Sequence, residues 1–134
     1  MLSLVTGASG FIGGHLVGAL QKSRKQCNIL VRKQVSDKWG CVADLADKSS
    51  LTVACVGIDR VFHCAGYAHA FSSFSGDDSA VHWQINFEGT RNLVEAAGQA
   101  GVKRFVFLSS VKAMAEPGAE LADENFPGQP ETAY

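Results

Sequence analysis

Residues 2–14 read LSLVTGASGFIGG, an apolar run that ends in Thr6 and is followed at once by Gly7, Gly10 and Gly13. Ile12, Leu16, Ala19 and Leu20 then recur at helical spacing, so the stretch reads as strand, tight turn, helix. Each glycine of this TGxxGxxG pattern has a physical task. Gly7 permits the tight turn, Gly10 lets the backbone approach a pyrophosphate, and Gly13 lets the helix pack against the strand. The unpaired N–H groups and positive end of a helix starting near Phe11 make an anion site, which groups Ser9, Phe11 and Ile12 with the glycines as cofactor-binding residues. Loops also collect glycine for turn geometry alone, but here the flanking strand and helix supply the context that a dinucleotide site requires.

Working outward, further apolar runs occupy Asn28 to Arg32, Cys41 to Leu45, Arg60 to Cys64 and Lys103 to Ser109. Asp47 can cap a short helix with Leu51, Ala54 and Cys55 on one face, and a long amphipathic helix is expected from about Val81 to Ala100. Strands that are apolar throughout and alternate with helices belong to a parallel sheet covered on both faces. The expectation is a Rossmann-type, doubly wound α/β domain with strand order 3-2-1-4-5. A polar loop is expected from Tyr67 to Ser79. Residues 115–133, which hold all three prolines, should form a long irregular segment of the kind that usually carries function.

Composition narrows the function classes. A chain of 134 residues, 46% hydrophobic and 19% charged, suits one globular domain with a single core. Its 12 basic and 13 acidic residues give a net charge of -1 and form no block, which argues against nucleic acid and membrane as partners. The apolar N-terminus lacks a basic leader and is broken by glycines, so neither a signal peptide nor a spanning helix is expected, and the cytoplasm is the expected compartment. Cys27, Cys41, Cys55 and Cys64 are too widely spaced for a metal knuckle and read as reduced core thiols; no metal site is expected.

In a dinucleotide fold the end of the second strand usually carries an acidic residue for the ribose 2'-hydroxyl, whereas Arg32 and Lys33 stand here. A cation suits a 2'-phosphate, which favours NADP over NAD. The alternative is that Arg32 sits at a solvated strand end while Asp37 or another group meets the ribose.

Five motifs in order then resemble one family. TGASGFIG, ADL at Ala43 to Leu45, VFHCAG, NFEGTRNLVEAA at Asn86 to Ala97 and RFVFLSSVKA are together similar to the extended short-chain dehydrogenases/reductases, the epimerases and dehydratases of nucleotide sugars. The resemblance implies that Asp44 bonds the adenine amino group, that Leu45 lines the adenine pocket, and that Ala65 and Gly66 pass under the adenosine ribose and phosphates. A helix-capping or solvated carboxylate is the other reading of Asp44. Asn86 shares a helical face with Gly89, Thr90, Leu93 and Ala97. It counts with the cofactor-binding set, and the resemblance makes it a brace for the active-site strands.

The same resemblance makes Ser110 the catalytic serine that orients a substrate hydroxyl or carbonyl, and Tyr134 the general acid or base. In the family a lysine four residues beyond that tyrosine lowers its pKa. The chain stops at Tyr134. It is therefore expected to be a piece of a longer gene product, truncated before the substrate domain and inactive by itself. His69 and Lys112 lie where the family meets substrate, with solvated loop residues as the alternative, and His63 is expected to be packed and hydrogen-bonded. The implied partner is a nucleotide sugar, in particular a UDP-sugar, and the resemblance allows a homodimer. The rival function is a dinucleotide-sensing or partner-binding module that uses the same turn without chemistry. A short-form dehydrogenase of small alcohols is disfavoured by the Asn86 helix motif and the Asp44-Leu45 pair.

Overall fold

The computed structural model describes residues 1–33, 39–67, 78–110, 113 and 123–126. Its strands are β1 (Ser3–Thr6), β2 (Cys27–Val31), β3 (Gly40–Val42), β4 (Arg60–His63) and β5 (Arg104–Phe107). All pairings are parallel, and the order is β3-β2-β1-β4-β5, as the alternation of apolar runs and helices predicts. The chain reverses its direction of growth between β1 and β4. This is the switch point at which α/β sheets bind ligands.

Side chains alternate across the central strands and so build a core on each face. On one face Leu4, Leu30 and Val61 pack with Leu51 and Ala54 of α2 (Lys48–Cys55) and Leu93 and Ala96 of the helix at Thr90–Gln99. On the other, Val5, Cys27 and Phe62 pack with Leu16, Val17 and Leu20 of α1 (Phe11–Lys22). Leu4 and Val5 are adjacent, face opposite cores, and are both fully buried. Hence β1 shows no polar alternation: Ser3 and Thr6 are buried as well.

Two expected elements differ from what is observed. The third strand ends at Val42 instead of Leu45, because the Asp44 carboxylate accepts the Ala46 N–H at 2.8 Å and turns the chain. The long helix is three pieces: α3 (Asp78–His82), a π-helical segment (Trp83–Gly89) and α4 (Thr90–Gln99). Apolar positions continue through the wider turns at near-helical spacing, so periodicity alone does not show them. Asp47 caps α2 as expected, accepting the Ser49 N–H at 3.0 Å. Most of the stretch 115–133 lies outside the described residues, as do residues 68–77 of the expected loop.

Gly13 and Gly18 lie on the same helix in opposite circumstances. A Cβ at Gly13 would stand 2.2 Å from the Gly7 carbonyl oxygen, whereas one at Gly18 meets nothing within 4 Å. Gly13→Ala should therefore destabilise the fold by about 2–3 kcal/mol through overpacking. Gly18→Ala should stabilise it by about 0.5–1 kcal/mol through helix propensity. Urea denaturation midpoints of the two variants should move in opposite directions, and a shared direction would disprove the packing account.

Candidate functional site

A parallel sheet puts all its carboxyl ends along one edge, and the residues singled out from sequence follow those ends. Gly7 follows β1, Arg32 follows β2, Asp44 and Leu45 follow β3, Ala65 and Gly66 follow β4, and Ser110 follows β5. Separated by up to a hundred positions in the chain, they share one rim of the fold. Tyr134 lies outside the described residues, as do Asp37, His69 and Lys112.

At the first turn Gly7 adopts φ +67, a left-handed conformation that favours glycine. A Cβ there would also stand 2.6 Å from the Ala65 nitrogen and 2.7 Å from the Cys64 carbonyl. Gly10 begins α1 with extended backbone, offers no side-chain cap, and is followed by no acidic residue in the first turn. The N–H groups at the start of an α-helix have no intrahelical partners, so this end presents donors and partial positive charge with nothing of its own to quench them. Gly10 is exposed, as are Ser9, Phe11 and Ile12, while Gly13 is buried against the Gly7 carbonyl. The arrangement fits an anionic diphosphate. A shallow depression of about 530 Å³ along the outer side of α1 touches this turn only at Ser9, Gly10 and Phe11 and otherwise follows Gly14, Gly18 and Lys22, away from the switch point.

The end of β4 is held by a buried polar column. Ala65 N–H donates to Thr6 Oγ1 at 3.1 Å, Thr6 Oγ1 lies 2.7 Å from His63 Nδ1, and His63 Nε2 lies 2.8 Å from Thr90 Oγ1. Burial pushes the His63 imidazole down to about 4, so the ring is neutral. Assigned from the network, the Thr6 hydroxyl donates to Nδ1 and the Nε2 proton goes to Thr90. β1, β4, the Ala65-Gly66 turn and α4 are thereby tied together. Asn86, in the π-helical segment, clamps the next residue along: its Oδ1 accepts Tyr67 N–H at 2.7 Å and its Nδ2 donates to the Tyr67 carbonyl at 3.0 Å. What Asn86 braces is thus the loop leaving β4, with its amide spent on backbone.

Asp44 is exposed, with one carboxylate oxygen engaged by its own turn. Leu45 is half-buried against Gly89, and its carbonyl accepts from the Asn92 side chain at 3.0 Å. Arg32 is exposed at the end of β2, and Ser110 is partly buried, its carbonyl accepting Ala113 N–H at 3.0 Å. The four cysteines are reduced, and burial raises the thiols of Cys41, Cys55 and Cys64, holding them protonated. Among the described residues no three His, Cys, Asp or Glu side chains gather into a metal-binding group, and no helix is long and apolar enough to cross a membrane.

Sequence reasoning gave no role to Thr6, Tyr67, Thr90 or Asn92. Thr6 carries a weak signal, as a polar residue closing an otherwise apolar strand directly before the glycine turn. The other three bond to backbone or to a side chain distant in sequence, so their partners emerge only in the fold.

The model of the NAD dependent epimerase/dehydratase family matches residues 3–134. The UDP-glucose 4-epimerase of Vibrio cholerae is 33% identical over 117 residues, covering 84% of this chain and 36% of that protein. Sterol demethylase protein B of Methylococcus capsulatus is 33% identical, covering 100% of this chain and 43% of that protein. Among solved structures, the Thermus thermophilus UDP-glucose 4-epimerase complex with NAD superposes with a TM-score of 0.82 at 30% identity, covering all of this chain and 46% of that one. The chain therefore spans less than half the length of these relatives. The NADP preference expected from Arg32 gains no support from them: the family is NAD dependent, and the Thermus complex holds NAD.

The buried neutral His63 gives the fold a pH signature. Its folded pKa of about 4 lies below the ordinary 6.5, so the unfolded chain takes up the proton first. Stability should fall by up to about 3 kcal/mol as pH drops from 6.5 to 4, then level off in this contribution. Asp59 is held below the ordinary carboxylate range by the Leu2 N–H and Lys103, and Glu95 by Lys48. They add losses only as pH falls through and below that range. Urea denaturation between pH 6.5 and 5 should show a slope that vanishes in His63→Asn; an unchanged slope would exclude His63 as its source.

Proposed function

The chain belongs to the NAD dependent epimerase/dehydratase family, and from that membership we propose that it forms the dinucleotide-binding part of an enzyme that epimerises, dehydrates or reduces a nucleotide sugar, with a UDP-sugar as substrate. The observation that carries this reading is the open helix terminus at Gly10 to Ile12, set at the switch point of the sheet beside the Ala65-Gly66 turn. NAD bound there would supply a hydride acceptor for the sugar.

The chain's own residues bind and orient. Backbone N–H groups of the first turn hold the diphosphate, Ala65 and Gly66 lie under the adenosine ribose and phosphates, and Asp44 and Leu45 take the adenine. Ser110 orients the reacting hydroxyl or carbonyl. Tyr134 moves the proton, its pKa lowered in a longer product by a lysine four residues further on. Arg32 is exposed at the strand end, where a single solvated charge discriminates weakly between cofactors, so NAD is the cofactor proposed.

Gly10→Val tests the site. The backbone at Gly10, φ -84 and ψ 171, accepts valine, so the fold should survive while the side chain blocks the diphosphate. Calorimetric titration with NAD should show binding to the native chain and none to the variant, and equal affinity would remove the site. Arg32→Ala should leave NAD affinity within about twofold. A large loss of NADP binding with NAD unaffected would restore the NADP reading.

Catalysis is tested on two lengths, residues 1–134 alone and a protein extended through the lysine and the remaining domain. With NAD and UDP-sugars followed by NMR, the short form should bind without turnover. The extended form should convert the sugar and lose that activity in Tyr134→Phe. An extended protein that binds NAD yet converts no substrate would favour the sensing or partner-binding module.

A further inference from the structure

We propose that Asn92 and Gly89 are positioning residues that set the adenine end of the cofactor pocket by holding the Asp44–Ala46 turn against the long helix, an inference that rests on the dinucleotide reading above.

The turn after β3 is fastened on two sides. Within itself, Ala46 N–H donates to Asp44 Oδ1 at 2.8 Å and Asp47 N–H donates to the Asp44 carbonyl at 2.9 Å, so its internal shape is closed by local bonds. Towards α2, Asp44 N–H donates to Ser50 Oγ at 3.2 Å, and Ser50 Oγ donates to the Asp47 carbonyl at 2.9 Å. These bonds define the turn but not its height above the sheet, because all their partners lie within seven residues of one another.

The long-range constraint comes from the helix. Asn92 Nδ2 donates to the Leu45 carbonyl at 3.0 Å across 47 positions of sequence. Gly89 is buried, and a Cβ there would lie 3.0 Å from Leu45 Cβ and 3.4 Å from its Cδ1. One residue therefore pulls the turn down onto the helix, and the other removes the atom that would hold it off. Leu45 is pinned between them, and Asp44, its neighbour, is presented at the rim with its carboxylate exposed. The Asn92 donor engages Leu45 backbone, so it acts on the nucleotide through the turn and not by contact.

The proposal makes a selective statement: the adenine half of the dinucleotide should respond, and the nicotinamide half should not. Native chain, Asn92→Leu, Asn92→Asp and Gly89→Ala would each be titrated with NAD, AMP and nicotinamide mononucleotide, reading affinities by NMR chemical-shift changes, with urea midpoints recorded alongside. Asn92→Leu and Asn92→Asp lose the donor at similar volume, and Gly89→Ala pushes the turn away by a different cause. All three should weaken NAD and AMP by about tenfold and leave nicotinamide mononucleotide unchanged. If Asn92→Leu fails to fold, Asn92→Asp and Gly89→Ala carry the same test. Equal losses for both half-ligands, or no loss in a folded variant, would overturn the proposal. A native chain that binds nicotinamide mononucleotide but not AMP would overturn the adenine assignment on which it rests, and a native chain that binds none of the three would overturn the dinucleotide reading itself.

Discussion

Two stretches of backbone meet at Gly7 with no room for a methyl group between them. A side chain there would strike the Cys64-Ala65 peptide, and one at Gly13 would strike the Gly7 carbonyl. This contact sets the first turn directly against the end of β4, and much else depends on it. It brings Thr6 within reach of Ala65 N–H and His63, and His63 in turn reaches Thr90 on the helix. Close backbone approach at one point thus becomes a polar column through a buried layer in which every member has a partner, which is the condition for such a network to hold a structure together.

Much of the architecture was legible because parallel sheets advertise themselves: β1 and β4 are buried on both faces, so their sequences are apolar runs and not alternating ones. The glycine turn was legible because steric exclusion leaves few substitutes for glycine at Gly7 and Gly13. Asp47 was legible as a cap because its partner lies two residues away. What stayed hidden depends on partners distant in sequence. Nothing in the order of residues says that Asn92 holds Leu45, that Thr90 receives His63, or that Asn86 clamps Tyr67. Arg32 illustrates the opposite error, in which a residue type at the right strand end suggested a phosphate, while the relatives carry NAD.

The comparisons also separate what this part of the molecule can encode from what it cannot. Relatives named for a sterol demethylation protein and for a UDP-glucose epimerase match it at the same 33% identity. Residues that serve a dinucleotide can stay similar while the molecule to be oxidised changes, since function on a shared fold lives in sites added to it. Ser110 stands at the boundary between the two tasks, at the end of β5, the outermost strand on its side of the switch point.

The π-helical segment Trp83–Gly89 makes the long helix a phase-setting device. A π turn is an α-helix carrying an extra residue. Removing one residue there would leave a regular and, by itself, sound helix, but everything beyond the deletion would rotate by about 100° relative to what precedes it. Asn86 clamps the loop leaving β4, while Gly89, Thr90 and Asn92 serve the turn after β3 and the buried histidine. The two sets could not both face their partners after such a rotation. Length variation in this helix is therefore constrained by angle and not by stability: a shortened version would fold into a helix and lose the agreement between two turns on the same rim.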